Sequence, residues 1–535
     1  MSVTLSSTLA PLVARDVSKS YGDRVVLDGI DLVANPGQPL GMVGENGVGK
    51  STLMRVLADA ESADSGTVVR PMDLAYLGQE PSFREGATIG DVLDDALAPL
   101  HEAVTRLETL AQRLDEDSAA DEYADVLAWA ERHDAWDGDR RAAMAAERLG
   151  LGRLDRSRPV AAMSGGQRTR LALATVITRR PECVLLDEPT NHLDDAAVEF
   201  LEDFLSSLPG IVVVASHDRT FLDNVCAAIV DLDPAHFGVD GSGGNRFTGG
   251  YSDYLVQKKE SRRRWEQAFL DQQDELNGLR SAAATTARNV APNNRPPRDN
   301  DKFIHHFKGA RVAATVSRRV RETERRIEVL ERERIPKPPK PLSFRGTLAG
   351  GRTNGAVAVY VRDLVVTDRV AVPRLDVSGG DRLLVTGANG SGKSTLLKVI
   401  NGDIAPTSGT TQVSARKIGF LPQEATFSRP DRSPHEVYDA ATGSPTPLGD
   451  LGLIHPRELS RPVGVLSVGQ QRRLALAILV ARQPDLLLLD EPTNHISLTL
   501  AEELEEALQR STGTVIVASH DRWLRSRWKG SVLEL

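Results

Sequence analysis

The sequence predicts an α/β fold with two P-loop domains in tandem, joined by a long α-helical hairpin linker. Short apolar runs such as Ile211–Val214 and Leu486–Leu489 are typical of buried strands in a parallel sheet. A set of four motifs occurs twice, in the same order. Residues 251–290 contain no proline and a single glycine, which favours a long helix between the two copies.

Composition limits the function classes. The chain has 535 residues, of which 40% are hydrophobic and 26% charged, as in soluble globular proteins. The net charge of −9 argues against a simple nucleic-acid coat, yet residues 251–345 carry 22 Lys+Arg and 13 Asp+Glu, a local charge of +9. Two cysteines, Cys183 and Cys226, make neither a disulfide framework nor a zinc site. With no secretion signal and no apolar run of ~18 residues, we expect a cytoplasmic protein without a membrane partner.

The repeats are the strongest signal. The paired segments are GENGVGKST at 44–52 and GANGSGKST at 387–395, SGGQ at 164–167 and SVGQ at 467–470, LLDEPTNH at 185–192 and 488–495, and SHDR at 216–219 and 519–522. Ser164, Asp187 and His217 each recur 303 positions later, whereas Gln79 recurs 344 positions later, as Gln423. The first copy therefore carries an insertion of 41 residues, and four matched motifs exclude a chance P-loop match.

Both P-loops fit the pattern G-x-x-x-x-G-K-[ST], following an apolar strand and opening a helix. Glycines let backbone N–H groups turn around a polyphosphate, and the lysine reaches the β- and γ-phosphates. The motifs therefore predict two ATP sites with Mg²⁺. The predicted nucleotide-binding residues are Gly44, Asn46, Gly47, Gly49, Lys50, Ser51 and Thr52 in the first copy, and Gly387, Asn389, Gly390, Gly392, Lys393, Ser394 and Thr395 in the second.

Acidic and polar residues follow the strands next to each P-loop. An aspartate at the end of an apolar strand suits Mg²⁺, together with the P-loop serine and a glutamine that senses the metal and the γ-phosphate. The predicted metal ligands are Ser51, Gln79, Asp187, Ser394, Gln423 and Asp490. The next glutamate can polarise the attacking water, and a histidine after another strand can contact the γ-phosphate. The predicted catalytic residues are Glu188, Glu491, His217 and His520.

The SGGQ and SVGQ segments, which we call the signature segments, open helices with serine as N-cap. Pointing such a helix end at the γ-phosphate requires the opposite copy, so we expect each ATP to be sandwiched between both copies and hydrolysis to release them. The predicted contributors are Ser164, Gly165, Gly166, Gln167, Ser467, Gly469 and Gln470.

These motifs resemble those of the ATP-binding cassette superfamily, which implies composite sites. One would use Lys50, Asp187, Glu188 and His217 with Ser467 and Gly469; the other would use Lys393, Asp490, Glu491 and His520 with Ser164 and Gly166. Tyr21 matches the adenine-stacking aromatic of that family. Alignment of the copies leaves Thr367 or a gap opposite Tyr21, and Val468 opposite Gly165, so we predict two unequal ATP sites.

The motif positions divide the chain into three parts: a first cassette at 1–250 with a helical arm at about 100–140, a basic helical linker at 251–345 with a tip loop at 291–306, and a second cassette at 346–535. The predicted linker helices are Tyr251–Val290 and Phe307–Ile335. We expect Val316, Val320, Thr323, Ile327 and Leu330 to face Trp265, Phe269, Leu276 and Leu279 across a seam. The tip combines Arg295, Arg298 and Lys302 with Phe303, His305 and His306, which suits RNA; a solvated flexible hairpin is the alternative.

This layout resembles the ABC-F translation factors over nearly the whole chain. The resemblance implies ATP-dependent binding to the 70S ribosome, with the linker reaching P-site tRNA and ribosomal RNA, and no DNA partner. The long tip is similar to that of actinomycete resistance factors, which protect ribosomes from macrolides, lincosamides or streptogramins. A housekeeping translation factor and the ATPase subunit of an exporter are the alternatives.

Overall fold

A computed structural model describes most of the chain. The described residues are 9–44, 47–233, 246–288, 318, 320–338, 356–388, 390–423, 425–454, 456–493, 496 and 498–535. They form two compact units, one containing both cassettes (up to residue 254 and from 356 onward) and one containing the described linker residues from 255 to 338. The predicted boundary at 345/346 lies outside the described residues, and the division into three domains stays a prediction.

The first cassette is built on a mostly parallel sheet. Its strands are β1 (Leu12–Tyr21), β2 (Arg24–Ala34), β3 (Leu40–Val43), β4 (Ser65–Val69), β5 (Leu74–Leu77), β6 (Cys183–Asp187), β7 (Ile211–Ala215), β8 (Ala228–Asp231) and β9 (Arg246–Thr248). The central sheet has the order β5-β6-β7-β3-β8-β9, in which β9 pairs antiparallel with β8, and β2-β1-β4 form a separate antiparallel sheet. Strands β6 and β7 are buried at every position, which explains their unbroken apolar sequences.

Helices cover this sheet. They are α1 (Lys50–Leu57), α2 (Ile89–Ala111), α3 (Asp117–His133), α4 (Gly138–Arg148), α5 (Gly165–Arg179), α6 (Asp195–Ser207) and α7 (Arg219–Val225). In the region predicted as the arm, α2 and α3 share a separate apolar cluster that includes Leu97, Leu100 and Ala130. Helix α2 begins with a reciprocal cap between Thr88 and Asp91, a device that stabilises a helix start by about 0.5–2 kcal/mol.

Helix α8 (Tyr251–Arg288) extends to the last described residue before the tip, so the predicted end at Val290 lies outside the described residues, and α9 comprises residues 320–332. Within the linker unit, Trp265 and Leu276 are buried, and the predicted seam positions Thr323, Ile327 and Leu330 are half-buried. The Gln272 amide of α8 contacts α9 and the chain just after it: Nε2 lies 3.5 Å from the Leu330 carbonyl and donates to the Glu333 carbonyl (2.9 Å), and Oε1 accepts from the Ile335 N–H (2.8 Å). The tip loop lies outside the described residues.

The second cassette repeats the first without the long helices before the signature segment. Its strands are β10 (Val357–Val366), β11 (Val370–Ser378), β12 (Arg382–Thr386), β13 (Ser408–Val413), β14 (Ile418–Leu421), β15 (Leu486–Asp490), β16 (Thr514–Ala518) and β17 (Ser531–Glu534). Its helices are α10 (Lys393–Asn401), α11 (Pro434–Thr442), α12 (Val468–Arg482), α13 (Leu498–Arg510) and α14 (Arg522–Arg527). The parallel sheet has the order β14-β15-β16-β12-β17.

The predicted fold class, α/β with two P-loop domains in tandem and a helical hairpin between them, is confirmed. In both copies the strand before the P-loop lies next to the strand that ends before the histidine, and the strand with the acidic residues follows it: β3-β7-β6 and β12-β16-β15. Parallel neighbours end at the same edge of the sheet, so the P-loop, the carboxylates and the histidine of each copy converge there. Within the described ranges, no helix combines the length and apolar character that crossing a membrane requires.

Candidate nucleotide-binding and catalytic sites

The first P-loop turns back on itself between β3 and α1. Gly44, Gly47 and Gly49 have φ angles of 152°, 84° and 113°, which favour glycine. A Cβ at Gly44 would lie 2.8 Å from a methyl group of Val48, so the loop also has no room for a side chain there. Lys50 Nζ donates to the Gly44 carbonyl at 2.7 Å, which holds the ammonium group over the loop.

The second P-loop repeats this geometry. Gly387, Gly390 and Gly392 have φ angles of 143°, 87° and 98°. Lys393 Nζ donates to the carbonyls of Gly387 (2.8 Å) and Ala388 (3.0 Å). Each lysine thus sits across the mouth of its own loop, where the oxygens of a polyphosphate would replace the carbonyl partners.

The remaining predicted P-loop residues have mixed outcomes. Thr52 is buried in the first helical turn, and Thr395 lies on the wall of the second-cassette cavity described below. Asn46 and Asn389 lie outside the described residues, so their role stays a prediction.

The predicted metal ligands of the first cassette lie together. Gln79 Nε2 is 3.3 Å from Ser51 Oγ and 3.5 Å from Asp187 Oδ1. Asp187 is 2% exposed, and burial raises its pKa despite its bonds to Ser51 and Gln79. A buried carboxylate with a hydroxyl and an amide beside it offers the oxygen ligands that Mg²⁺ prefers, and the ion's charge would offset the burial of the carboxylate.

The second cassette has the corresponding cluster. Ser394 Oγ donates to Asp490 Oδ1 at 3.0 Å, and burial raises the pKa of Asp490. Among the described residues, Asp490 Oδ2 is buried without a hydrogen-bond partner. An unsatisfied buried carboxylate oxygen is costly unless a cation or donor reaches it, so the cluster fits a divalent ion. Gln423 lines the same cavity as Ser394.

Glu188 is held in an unusual position at the end of β6. Its φ of 54° is left-handed, and its side chain is buried. The N–H of His217 donates to Oε2 at 3.1 Å, and His217 Nε2 is 3.5 Å from Oε1. Burial raises the pKa of Glu188 to about 8, even though the Lys50 charge opposes the shift. The carboxylate is therefore a base whose proton affinity lies near neutral pH.

Glu491 occupies the same position in the second cassette, with φ 49°. Its contact with the histidine is tighter, since Oε1 lies 2.7 Å from His520 Nδ1. The hydroxyl of Ser519 donates to Oε2 at 3.2 Å. The hydrogen bond to Glu491 raises the pKa of His520 above its ordinary value. The glutamate and histidine predicted as catalytic thus lie side by side in both cassettes, a contact that was not predicted from the sequence, and its geometry differs between the two.

A cavity of about 440 Å³ brings together eight of the residues predicted for the second ATP site. It is lined by Asp368, Arg369, Gly390, Gly392, Lys393, Ser394, Thr395, Gln423, Glu491 and His520. Of these, the sequence prediction lacked only Asp368 and Arg369. They follow β10 and lie where the turn between β10 and β11 approaches the P-loop.

The signature segments begin helices as predicted. Ser164 accepts a hydrogen bond from the N–H of Gln167, whose side chain bonds back to the Ser164 N–H, and Ser467 and Gln470 repeat this cap. Ser164, Gly165 and Ser467 are exposed, whereas Gly469 is buried. A Cβ at Gly166 would lie 3.0 Å from the Cβ of His192 in the same cassette. All residues lining the cavity belong to the second cassette, so pairing of each signature with the opposite P-loop stays a prediction.

Tyr21 ends strand β1 and is 45% exposed. Its hydroxyl donates to Glu61 Oε1 at 2.5 Å and accepts from Arg55, which fixes the ring. Arg24, which pairs with Tyr21 across the β1–β2 turn, donates to the Gly47 carbonyl at 3.2 Å and so brings this turn to the P-loop. In the second cassette β10 ends at Val366, an aliphatic residue.

Arg472 is a site residue that the sequence analysis missed. Its side chain is buried; Nη1 donates to the Gln423 carbonyl at 3.0 Å, and Nη2 donates to the carbonyls of Asp490 (2.6 Å) and Glu491. It therefore ties the signature helix to the glutamine loop and the acidic strand. The position 303 residues earlier is Thr169, so this brace belongs to the second copy alone. The arginine at this position of one repeat was the available signal.

Comparisons with known proteins agree with this geometry. The family model described as "ABC transporter" matches residues 27–191 and 372–494. The tylosin resistance ATP-binding protein TlrC of Streptomyces fradiae is 40% identical, over 99% of this chain and 98% of its own length. The energy-dependent translational throttle protein EttA of Mycobacterium tuberculosis is 31% identical, over 96% of this chain and 89% of its own. The crystal structure of an archaeal ABCE1 in complex with the stalk protein aP1 superposes with TM-score 0.54 at 18% identity, covering 97% of this chain and 87% of that one. At that identity the match shows the fold alone.

Proposed function

Because this chain belongs to the ABC transporter family and, within it, to the ABC-F proteins, we propose that its ATP cycle controls binding to the ribosome and protects the ribosome from antibiotics. The chain is an ATPase, converting ATP and water to ADP and phosphate. The drugs proposed are those acting at the peptidyl-transferase centre or exit tunnel, of the macrolide, lincosamide or streptogramin classes. The observation that carries the proposal is 40% identity to a tylosin resistance protein over nearly the whole of both chains, linker included.

The proposed chemistry uses the residues that meet at the sheet edge. Lys50 and Lys393 bind the phosphates, and the ionised carboxylates of Glu188 and Glu491 orient the attacking water and take its proton. The paired histidines hold those carboxylates in place and approach the γ-phosphate. Mg²⁺, held by the serine, glutamine and aspartate of each cluster, would neutralise charge that develops on the phosphate oxygens.

The proposed coupling between ATP and the ribosome is mechanical. Two ATP molecules close the cassettes, each bridged by a P-loop and the opposite signature segment, and cleavage lets them separate. While the cassettes are closed, the basic linker, with a net charge of +9 over residues 251–345, supplies phosphate contacts to P-site tRNA and ribosomal RNA. The hydrogen bonds at Gln272 hold its two described helices together. The burial of Trp265 and Leu276 within the linker unit supports a stiff hairpin that can present a tip loop.

A housekeeping translation factor is the second candidate. It is favoured by 31% identity to a translational throttle protein over 96% of this chain. Both candidates use the same ATP cycle and bind the ribosome, but they differ in what closure of the cassettes does for the cell. The housekeeping factor predicts a ribosome-linked growth defect when the gene is deleted, and no drug tolerance when the protein is expressed.

The trapping experiment tests ribosome binding. We expect the double variant Glu188→Gln, Glu491→Gln to bind ATP without cleaving it, because an amide cannot take the proton from water. It should then co-sediment with 70S ribosomes in Mg·ATP, and the same variant in ADP should not. A trapped variant that sediments free of ribosomes in ATP would contradict the proposal.

Shortening the tip separates the two candidates. Removal of residues 291–306 and their replacement with a short Gly-Ser turn should abolish tolerance to tylosin in a sensitive host while leaving ATP hydrolysis unchanged. The full-length chain and the trapped double variant, which also should not protect, are the controls. No tolerance with the full-length chain would favour the housekeeping factor. Unchanged tolerance after shortening would contradict the role of the tip loop in protection.

A further inference from the structure

Two arginines directly after the histidine motifs join the cassettes. Arg219 begins α7 of the first cassette, and its side chain is 1% exposed. Its Nη2 donates to Asp521 Oδ2 at 2.7 Å and to the carboxylate of Glu505, both in the second cassette. Arg522, which begins α14 of the second cassette, donates to Glu202 and, at 3.4 Å, to Asp218 of the first.

This arrangement is reciprocal. Each of the three first-cassette residues has its counterpart 303 positions later: Glu202 and Glu505, Asp218 and Asp521, Arg219 and Arg522. The same three side chains therefore meet twice, with the roles of the cassettes exchanged, as in an interface with two-fold symmetry. Within the SHDR repeat, only the histidine has a role predicted from its sequence context.

The aspartate in each set is the residue next to the histidine. Asp521 follows His520, and its two oxygens have different partners: Oδ2 accepts from Arg219, and Oδ1 accepts the N–H groups of Trp523 (2.9 Å) and Leu524 (3.2 Å) at the start of α14. The backbone that carries His520 is thus held between the helix of its own cassette and an arginine of the other. Asp218 has the same double role at the start of α7.

The contact of Arg219 with Asp521, beside the second ATP site, is stronger than the contact of Arg522 with Asp218, beside the first. Arg219 also lies against the ring of Trp523, 5.6 Å from its centroid, and that ring meets Tyr251 edge-on. Thr220 stands 303 positions before Trp523, so the first site has no such ring. Burial is the largest influence on Asp521 and raises its pKa, but the charge and hydrogen bond of Arg219 together with the other hydrogen bonds to the carboxylate outweigh burial, and the pKa lies below its ordinary value. Burial dominates at Asp218, whose pKa is raised despite Arg522.

We propose that Arg219 and Arg522 are positioning residues that act in trans: Arg219 sets the histidine of the second ATP site, and Arg522 sets that of the first. Neither arginine contacts ATP in this proposal. Each fixes the aspartate beside the opposite histidine and thereby the approach of that histidine to Glu491 or Glu188. The proposal rests on the catalytic roles proposed for those two glutamates.

The physical basis is the cost of an unpaired buried charge. Removing Arg219 leaves the buried Glu505 and the half-buried Asp521 without their cation, which is strongly unfavourable. The aspartate would rotate or take up a proton, and the His520 backbone would lose one of its two anchors. General structural damage would lower the rate of ATP cleavage at both sites, whereas loss of positioning in trans lowers the rate only at the site of the opposite cassette.

The test measures each site alone. In a Glu188→Gln background the second site remains active, and in a Glu491→Gln background the first does. We expect Arg219→Met to lower the single-turnover rate of ATP cleavage at least tenfold in the Glu188→Gln background and by less than twofold in the Glu491→Gln background. Arg522→Met should give the opposite pattern with a smaller loss, and Arg219→Lys should restore part of the rate.

Arg525→Ala is the matched control. Arg525 also joins the cassettes, through Asp195 at 2.5 Å, but the Asp195 side chain is 51% exposed and neither residue adjoins a histidine. It should change both rates by less than twofold. If Arg219→Met does not fold, Arg219→Met with Glu505→Gln removes part of the charge mismatch and should show the same pattern.

Equal losses in both backgrounds, or a loss confined to the arginine's own cassette, would overturn the inference alone. Cleavage at the unmodified rate in both glutamine backgrounds would overturn the glutamate roles and, with them, the inference. The two failures are therefore distinguishable in one set of measurements.

Discussion

At the residue scale, the two glutamates proposed as catalytic bases combine burial, a left-handed backbone and a histidine partner. Glu188 lies beside Lys50 and His217, and its pKa is raised to about 8 because burial penalises the charged carboxylate. A general base works only when ionised, so the first site should become more active as the pH rises through this pKa.

The Glu491→Gln variant isolates this effect. Ionisation of a single group with a pKa near 8 increases about tenfold between pH ~7 and ~9, so the single-turnover rate at the first site should rise by about that factor. The measurement is a pH profile of ATP cleavage at saturating Mg·ATP. A rate that is flat over this range, or that falls, would contradict Glu188 as the base; the Glu188→Gln, Glu491→Gln double variant gives the background.

The sequence could locate the residues that meet at each sheet edge where their spacing along the chain carries the information. The P-loop glycines, Lys50 and Asp187 follow motifs whose members are close in sequence. Arg472 could not be found this way, because its partners are backbone carbonyls that any residue would provide. Arg219 and Glu505 are 286 positions apart, and only the packing of α7 against the other cassette brings them together.

At the scale of elements, the linker hairpin shows what periodicity can predict. The spacing of Val320, Thr323, Ile327 and Leu330 predicted a seam, and these positions are half-buried. The seam's polar contacts were not predictable, because they depend on where the chain leaves α9. The indole N–H of Trp265 donates to the Pro336 carbonyl at 2.9 Å, beyond the helix end.

Gln272 should be the most sensitive polar residue of the hairpin. Gln272→Leu leaves the Ile335 N–H and the Glu333 carbonyl without this partner, which costs about 1–3 kcal/mol. Hydrogen exchange of the amides near residue 335 should accelerate about 5- to 150-fold. Gln267→Leu is the control, since Gln267 is exposed and its side-chain amide donates to Asp271 on its own helix. Equal exchange in the two variants would contradict this role.

At the scale of the whole molecule, the two cassettes are copies that have diverged around a shared reaction. The first has Tyr21 at the end of β1 and long helices before its signature; the second has Val366 at the end of β10 and the Arg472 brace. The repeated motifs made the tandem arrangement predictable. The contacts of Arg472 around the second site became visible only in the three-dimensional structure.

The predicted inequality of the ATP sites can be measured. Base stacking on an aromatic ring contributes about 1–3 kcal/mol, so Tyr21→Ala should weaken ATP binding at one of two sites by about 5- to 150-fold. Titration with ATP in the absence of turnover, using the Glu188→Gln, Glu491→Gln variant, should resolve the change. Thr367→Ala is the matched control and should leave both affinities within twofold. Equal weakening of both sites by Tyr21→Ala would contradict its assignment to one.

The left-handed backbone at Glu188 and Glu491 has a consequence for directed evolution of thermal stability. Glycine and asparagine tolerate this conformation better than glutamate, and a residue without a carboxylate also avoids burying an acid. Selection of random variants for thermal stability would therefore tend to enrich replacements at these two positions. The selected proteins would be more stable but would not hydrolyse ATP. The chain retains a locally unfavourable arrangement because its activity depends on it.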